Sequence, residues 1–211
     1  MGVRERKERE KEMRRKSILG AAKKVFLAKG FQGTTIEEIA NEAELSPGTI
    51  YQYFKGKDEL YASLNLITLE YLRKEIEKIH HNHEITVTEK IPQIKEALYQ
   101  MYEYEPLVVR NIFHLQLEDS LSAISGKVLN KINTMSREVM TMLADIYEEG
   151  VRTGEFIEGH GMLHADIMWA LFTGLVVYEE AKTRLNPKKR FLRHTIDEAF
   201  DIFLRGIEKN H

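Results

Sequence analysis

The chain of 211 residues has no cysteine, so no disulfide framework or thiolate metal site can hold it together. That absence suits a reducing compartment, and a cytoplasmic location is expected. Only four prolines occur, so little breaks a helical pattern. The longest apolar run, Ile167 to Tyr178, is shorter than a bilayer span, and the basic N-terminus lacks the apolar stretch of a secretory signal. No membrane association is expected. A strained nucleophile elbow, a P-loop and a dinucleotide fingerprint are also missing, so neither an enzyme nor a cofactor is expected.

What remains is an ordinary globular composition, 43% hydrophobic and 30% charged. It is long enough to bury a real core. The formal net charge of −2 hides an asymmetry. Residues through Lys57 carry a net +5, and the rest carry −7. A basic end on an acidic body points towards a polyanion, or else towards a solvated tail.

Apolar residues recur at helical spacing almost throughout, which predicts an all-α protein. A first helix over about 4–29 carries the stripe Ile18, Leu19, Ala22, Val25 and Phe26 and stops at Gly30. Next comes "TTIEEIANEA", where Thr34 or Thr35 can cap and a glutamate stands three residues on. Ser46 then caps a very short third helix with Pro47 in its first position. A long helix follows over Lys57 to His80, then a loop, then helices near 88–104, 106–118, 122–152, 162–184 and 188–208.

The third helix is too short to be stable alone, yet it is rich in polar and aromatic groups. At about 100° per residue, Pro47, Ile50 and Phe54 share the core side. Gly48, Thr49 and Gln52 point outwards, with Tyr51 and Tyr53 on the flanks. That is the arrangement of a helix entering a DNA major groove. The small centre allows close approach, the amide can pair with a base edge, and the phenols can reach phosphates. Lys57 adds a charge at the next helix N-terminus. The alternative is a plain helical corner with half-buried tyrosines.

Residues Ile18 to Tyr61, through "KGF", "TT", "IEEIANEA" and "GTIYQYFKGKDEL", resemble the tetracycline-repressor (TetR) family of bacterial transcriptional regulators. The resemblance implies an all-α fold with a three-helix helix-turn-helix head over 1–57 and a larger helical ligand-binding and dimerisation domain over 58–211. It implies that Thr34 and Thr35 anchor the second helix on the phosphate backbone. Ser46, Pro47, Gly48, Thr49 and Gln52 would approach bases or nearby phosphates, and Tyr51, Tyr53 and Lys57 would fix docking. Two residues depart from the family pattern. Glu44 stands where glycine is usual, at a turn where a left-handed residue costs about 1 kcal/mol. Glu37 stands where many members carry a basic residue. The basic stretch from Arg4 to Lys16 either reaches along DNA or extends the first helix in solvent.

A two-half-site operator needs two heads at fixed spacing. The last two predicted helices carry apolar stripes on more than one face, and Phe172, Val176, Phe200, Phe203 and Leu204 are the candidates for a homodimer interface. The same stripes could close the chain's own core, and spacing does not separate the two. Polar-tipped aromatics and methionines suit a pocket for a small apolar effector. The candidates are Tyr102, Phe113, His114, Met135, Met142, Trp169 and Tyr178. The long helix, with stripe Leu60, Leu64, Ile67, Tyr71 and Ile79, could pass a rotation from that body to the head. Two histidine groups tempt a metal reading. "HHNH" (His80, His81, His83) reads as a solvated loop, and His160 with His164 reads as a helix start. The expectation is a ligand-responsive, DNA-binding repressor with double-stranded DNA, a second copy and a small effector as partners. A helical binding module without DNA function, or a helical enzyme using the cavity, are the alternatives.

Overall fold

The computed structural model describes residues 2–110, 122–186 and 191–209. Among these the chain is helical: α1 Val3–Lys29, α2 Ile36–Glu42, α3 Pro47–Tyr51, α4 Lys57–His80, α5 Val87–Tyr104, α6 Pro106–Arg110, α7 Gly126–Thr153, α8 Gly161–Leu185 and α9 Leu192–Ile207. The described residues of Met1–Ile67 and Phe113–Lys131 form one compact unit, and those of Thr68–Ile112 and Ile132–His211 form another.

Local chemistry sets the short helices of the first unit. Gly30, at φ +72°, ends α1. Thr35, not Thr34, caps α2, in a box where its hydroxyl accepts from the Glu38 amide and Glu38 accepts from the Thr35 amide. Ser46 caps α3 and accepts from the Thr49 N–H. Between them Glu44 takes φ +56°, the left-handed turn that its position demands. The core seals Ile18, Ala22, Phe26, Ile39, Ile50, Phe54 and Leu60. Tyr61 joins it, its ring edge-on to Phe26 at 5.6 Å and to Phe31 at 5.1 Å.

In the second unit α5, α8 and α9 pack together. Glycine is required where α7 ends. A Cβ on Gly150 would lie 2.2 Å from the Phe156 ring, and Gly154 sits at φ +81°. Phe156 is thus buried, and the segment beyond it pairs with the end of α9. The Ile157 amide donates to Ile207 at 2.8 Å and the Lys209 amide to Glu155 at 2.8 Å. Lys90 is almost wholly buried, its ammonium donating to Glu149 at 2.9 Å and to the His80 carbonyl at 3.2 Å.

Two expectations about faces change. Ile67, placed on the buried stripe of the long helix, is exposed, and Thr68, Leu72 and Ile76 are buried instead. The apolar run of 167–178 belongs to a longer helical stretch. Gly161–Thr183, with 23 residues, is long and apolar enough to cross a membrane by length and composition. One side of that helix, with Ala165, Met168, Phe172 and Val176, lies in the core of the second unit.

Candidate functional site

The α2–α3 corner presents a face that the chain leaves uncovered. Ile50 and Phe54 are sealed below it, and Pro47 is half-buried at its edge. Ser46, Gly48, Tyr51 and Gln52 are exposed, and Thr49 and Tyr53 are half-buried. The Gln52 side-chain amide makes no hydrogen bond among the described residues. The Ser46 and Thr49 hydroxyls lie 2.9 Å apart, so each is oriented by the other. Gly48 has no internal reason to be glycine. A Cβ there would meet only the Ser46 hydroxyl, at an ordinary 3.8 Å. Its bareness is a property of the outer surface.

The flanking residues divide. Thr35 is exposed at the α2 N-terminus. Thr34 is not: it is 2% exposed, its hydroxyl donates to the Gly30 carbonyl at 2.7 Å, and its amide donates to Phe31 at 3.3 Å. With both donors occupied, its side chain serves the α1–α2 turn, which corrects its expected role as a backbone anchor. Lys57 lies half-buried with its ammonium 4.5 Å from the Phe31 ring centroid, a cation–π contact that steers it along the head's surface. Glu37 and Glu44 are both exposed. The Lys29 ammonium, followed by the Thr35 amide, holds Glu38 below the usual carboxylate range. Its charge is therefore tied to α1 and to its own cap.

Arg15 was hidden in the sequence among eight basic residues. Its guanidinium donates to the Tyr53 carbonyl at 3.0 Å and to the Ser63 hydroxyl at 3.0 Å, and it stacks 4.1 Å over the Phe54 ring. One side chain of α1 thus fixes the chain just after Gln52 and ties it to α4. No local signal marks a partner 38 residues away.

The expected regulatory residues fare unevenly. Phe172, Val176 and Phe200 are fully buried in the core of their own unit, so they cannot face a second copy, contrary to their expected interface role. Phe203 and Leu204 are half-buried. The outward side of α8 instead shows Leu163, Ile167, Val177 and Tyr178, and α9 shows Ile202. Tyr178, expected in a pocket, is thus 62% exposed, with the Lys182 ammonium 5.2 Å from its ring centroid. Tyr102, Met142 and Trp169 are half-buried against the core, and the Tyr102 hydroxyl donates to Glu180 at 3.0 Å. Met135 is half-buried. Phe113 and His114 lie outside the described residues. Among those residues no group of three or more histidine, aspartate or glutamate side chains could hold a metal. His164 is used in packing, its ring stacked on Tyr147 at 3.7 Å. His80 closes α4, and burial, followed by the charge of His81, pushes its imidazole below the ordinary value.

Comparison with known proteins places this geometry. Residues 18–64 match the model of bacterial regulatory proteins, tetR family, and residues 73–209 match that of the QacR-like protein C-terminal region. The fatty acid metabolism regulator protein of Bacillus subtilis (strain 168) is 26% identical over 190 residues, 90% of this chain and 93% of that one. The HTH-type transcriptional regulator QacR of Staphylococcus aureus is 23% identical over 202 residues, 91% of this chain and 97% of that one. The solved structure of the transcriptional regulator FadR from Bacillus subtilis in complex with stearoyl-CoA shares the fold. Its TM-score is 0.68 at 21% identity, over 90% of this chain and 98% of that one.

Proposed function

The chain belongs to the TetR family of ligand-responsive, non-enzymatic transcriptional repressors, and we propose that it does this work as a cytoplasmic homodimer reading two operator half-sites. The observation that carries the reading is the uncovered face of α3, where a bare glycine, an unengaged amide and a hydroxyl pair stand over a sealed Ile50 and Phe54. Gln52 and Thr49 contact base edges. Gly48 lets the backbone come close. Ser46, Pro47, Thr35, Tyr51, Tyr53 and Lys57 set the docking on phosphates.

The dimer interface in this reading is the outward side of α8 with Ile202 of α9. Leu163, Ile167 and Val177 recur at helical spacing there, and a second copy covering them explains an apolar helix without a membrane. Effector and partner binding belong to the second unit, DNA reading to α1–α3. The stearoyl-CoA complex of the Bacillus subtilis regulator supports an effector with an apolar chain. Met142, Trp169 and Tyr102 are the described side chains we assign to it. Helix α4 begins with Lys57 and ends at His80, and we assign to it the change that misaligns the heads when effector binds.

The test is a selection of duplexes from a random pool with purified protein, followed by a screen for molecules that release the selected duplex. A two-half-site consensus released by an apolar or amphipathic compound supports the reading. Recovery of no preferred duplex contradicts it.

A further inference from the structure

Helix α1 continues well past the head. Its buried face starts at Ile18 and runs through Ala22, Val25 and Phe26, whereas every side chain from Arg4 to Arg14 is exposed. At about 100° per residue, Arg4, Lys7, Lys11, Arg14 and Arg15 fall within one arc of about 100°. That arc overlaps the azimuth of the buried face through Val25, Ile18 and Ala22. The four acids of this stretch, Glu5, Glu8, Glu10 and Glu12, all lie outside it. Where α1 leaves the head, the continuation of its core-facing stripe is therefore mainly basic, with Glu8 at its edge.

The stripe has a fixed starting point. Arg15, its last member, is bound to the Tyr53 carbonyl and stacked on Phe54, directly after the α3 face that carries Gln52. The side chains of Arg4, Lys7, Lys11 and Arg14 make no ion pair or hydrogen bond among the described residues. On the other side of the helix, by contrast, Arg6 pairs with Glu10 at 2.9 Å. From Arg15 to Arg4 the stripe extends about 16 Å along the axis at 1.5 Å per residue. That length matches about five phosphates along one strand.

We propose that this stripe is a second DNA-binding surface, laid along the phosphates of the duplex that flanks each half-site. It rests on the DNA-reading role proposed above and extends the footprint beyond the segment that α3 reads. It contributes affinity and salt dependence but no base preference, because lysine and arginine on phosphates position without specifying.

The test compares three proteins on a duplex selected from a random pool by the intact protein. The first is the intact protein and the second is the stripe variant Lys7→Gln, Lys11→Gln, Arg14→Gln. The third is a variant of equal charge change on the other side, Arg6→Gln, Arg9→Gln, Lys16→Gln. Each is titrated across a salt series on the half-site pair alone and on the same pair with roughly six extra base pairs at each end. On the long duplex the stripe variant is expected to lose about 0.9 of salt slope per neutralised side chain. On the short duplex it should match the intact protein, and the other-side variant should match it on both. Equal behaviour of the two variants on the long duplex overturns the proposal, as does an equal loss on both duplexes. If the intact protein selects no duplex, the DNA-reading role falls and the stripe with it. A selected duplex with an inert stripe overturns the stripe alone.

Discussion

In the proposed reading, Gly48 separates folding from DNA contact. Within the chain a methyl there meets ordinary space, and alanine is the better helix former by up to about 1 kcal/mol. Gly48→Ala is therefore expected to leave stability unchanged or raised in a urea melt while weakening operator binding in a fluorescence titration. A loss of stability would mean that the glycine serves the fold. Arg15 is the converse case, a residue off the proposed reading face that holds the chain beside it. Arg15→Met removes two charged hydrogen bonds from a half-buried site, and about 1–3 kcal/mol of stability should go with them. Arg15→Lys keeps the charge but loses the planar fork over Phe54. It is expected to recover little of the discrimination between operator and scrambled DNA, whereas a purely electrostatic role would be restored in full.

Helix limits were mostly readable because they are set by neighbours in sequence. Thr35 with Glu38, Ser46 with Pro47 and the stop at Gly30 all follow from residues within a turn of one another, whereas the left-handed Glu44 is implied by the family pattern. The α4 span was readable for the same reason. Helix faces were less so. Periodicity says that Phe172 and Tyr178 face something; it does not say that one meets its own core and the other stands in solvent. Arg15 and the buried Lys90 were out of reach because their partners are distant in sequence.

Packing of α5 on α9 adds a pH dependence. Arg193, at 2.7 Å, holds Glu96 below the usual carboxylate range, and Lys95, at 2.7 Å, does the same to Asp197. Depressed carboxylates stabilise the fold above their unfolded values of about 4 and lose that contribution as pH falls through the folded ones. Both groups are partly solvated, so the effect is modest. Unfolding midpoints measured between pH 6 and 3 should therefore fall less steeply in Glu96→Gln, Asp197→Asn than in the intact protein, the difference opening only below about pH 4.5.

For the whole molecule, the charge split of +5 and −7 is the coarse plan: one end meets a polyanion and the other does not. The proposed half-site reading needs two chains, and the exposed apolar side of α8 is the face we assign to their pairing. Ile167→Glu with Val177→Asp is expected to give monomers in sedimentation and to lower operator affinity steeply without unfolding the chain. An unchanged sedimentation coefficient would put the interface elsewhere. The α3 face is proposed to read bases. The most direct measurement of that role is the ratio of affinities for the selected operator and a scrambled duplex of equal length, compared between intact protein and Gln52→Ala. This ratio is expected to shrink by about 5- to 150-fold, the cost of one amide–base pair, with affinity for the scrambled duplex nearly unchanged. A ratio that stays the same, or equal losses on both duplexes, contradicts that role.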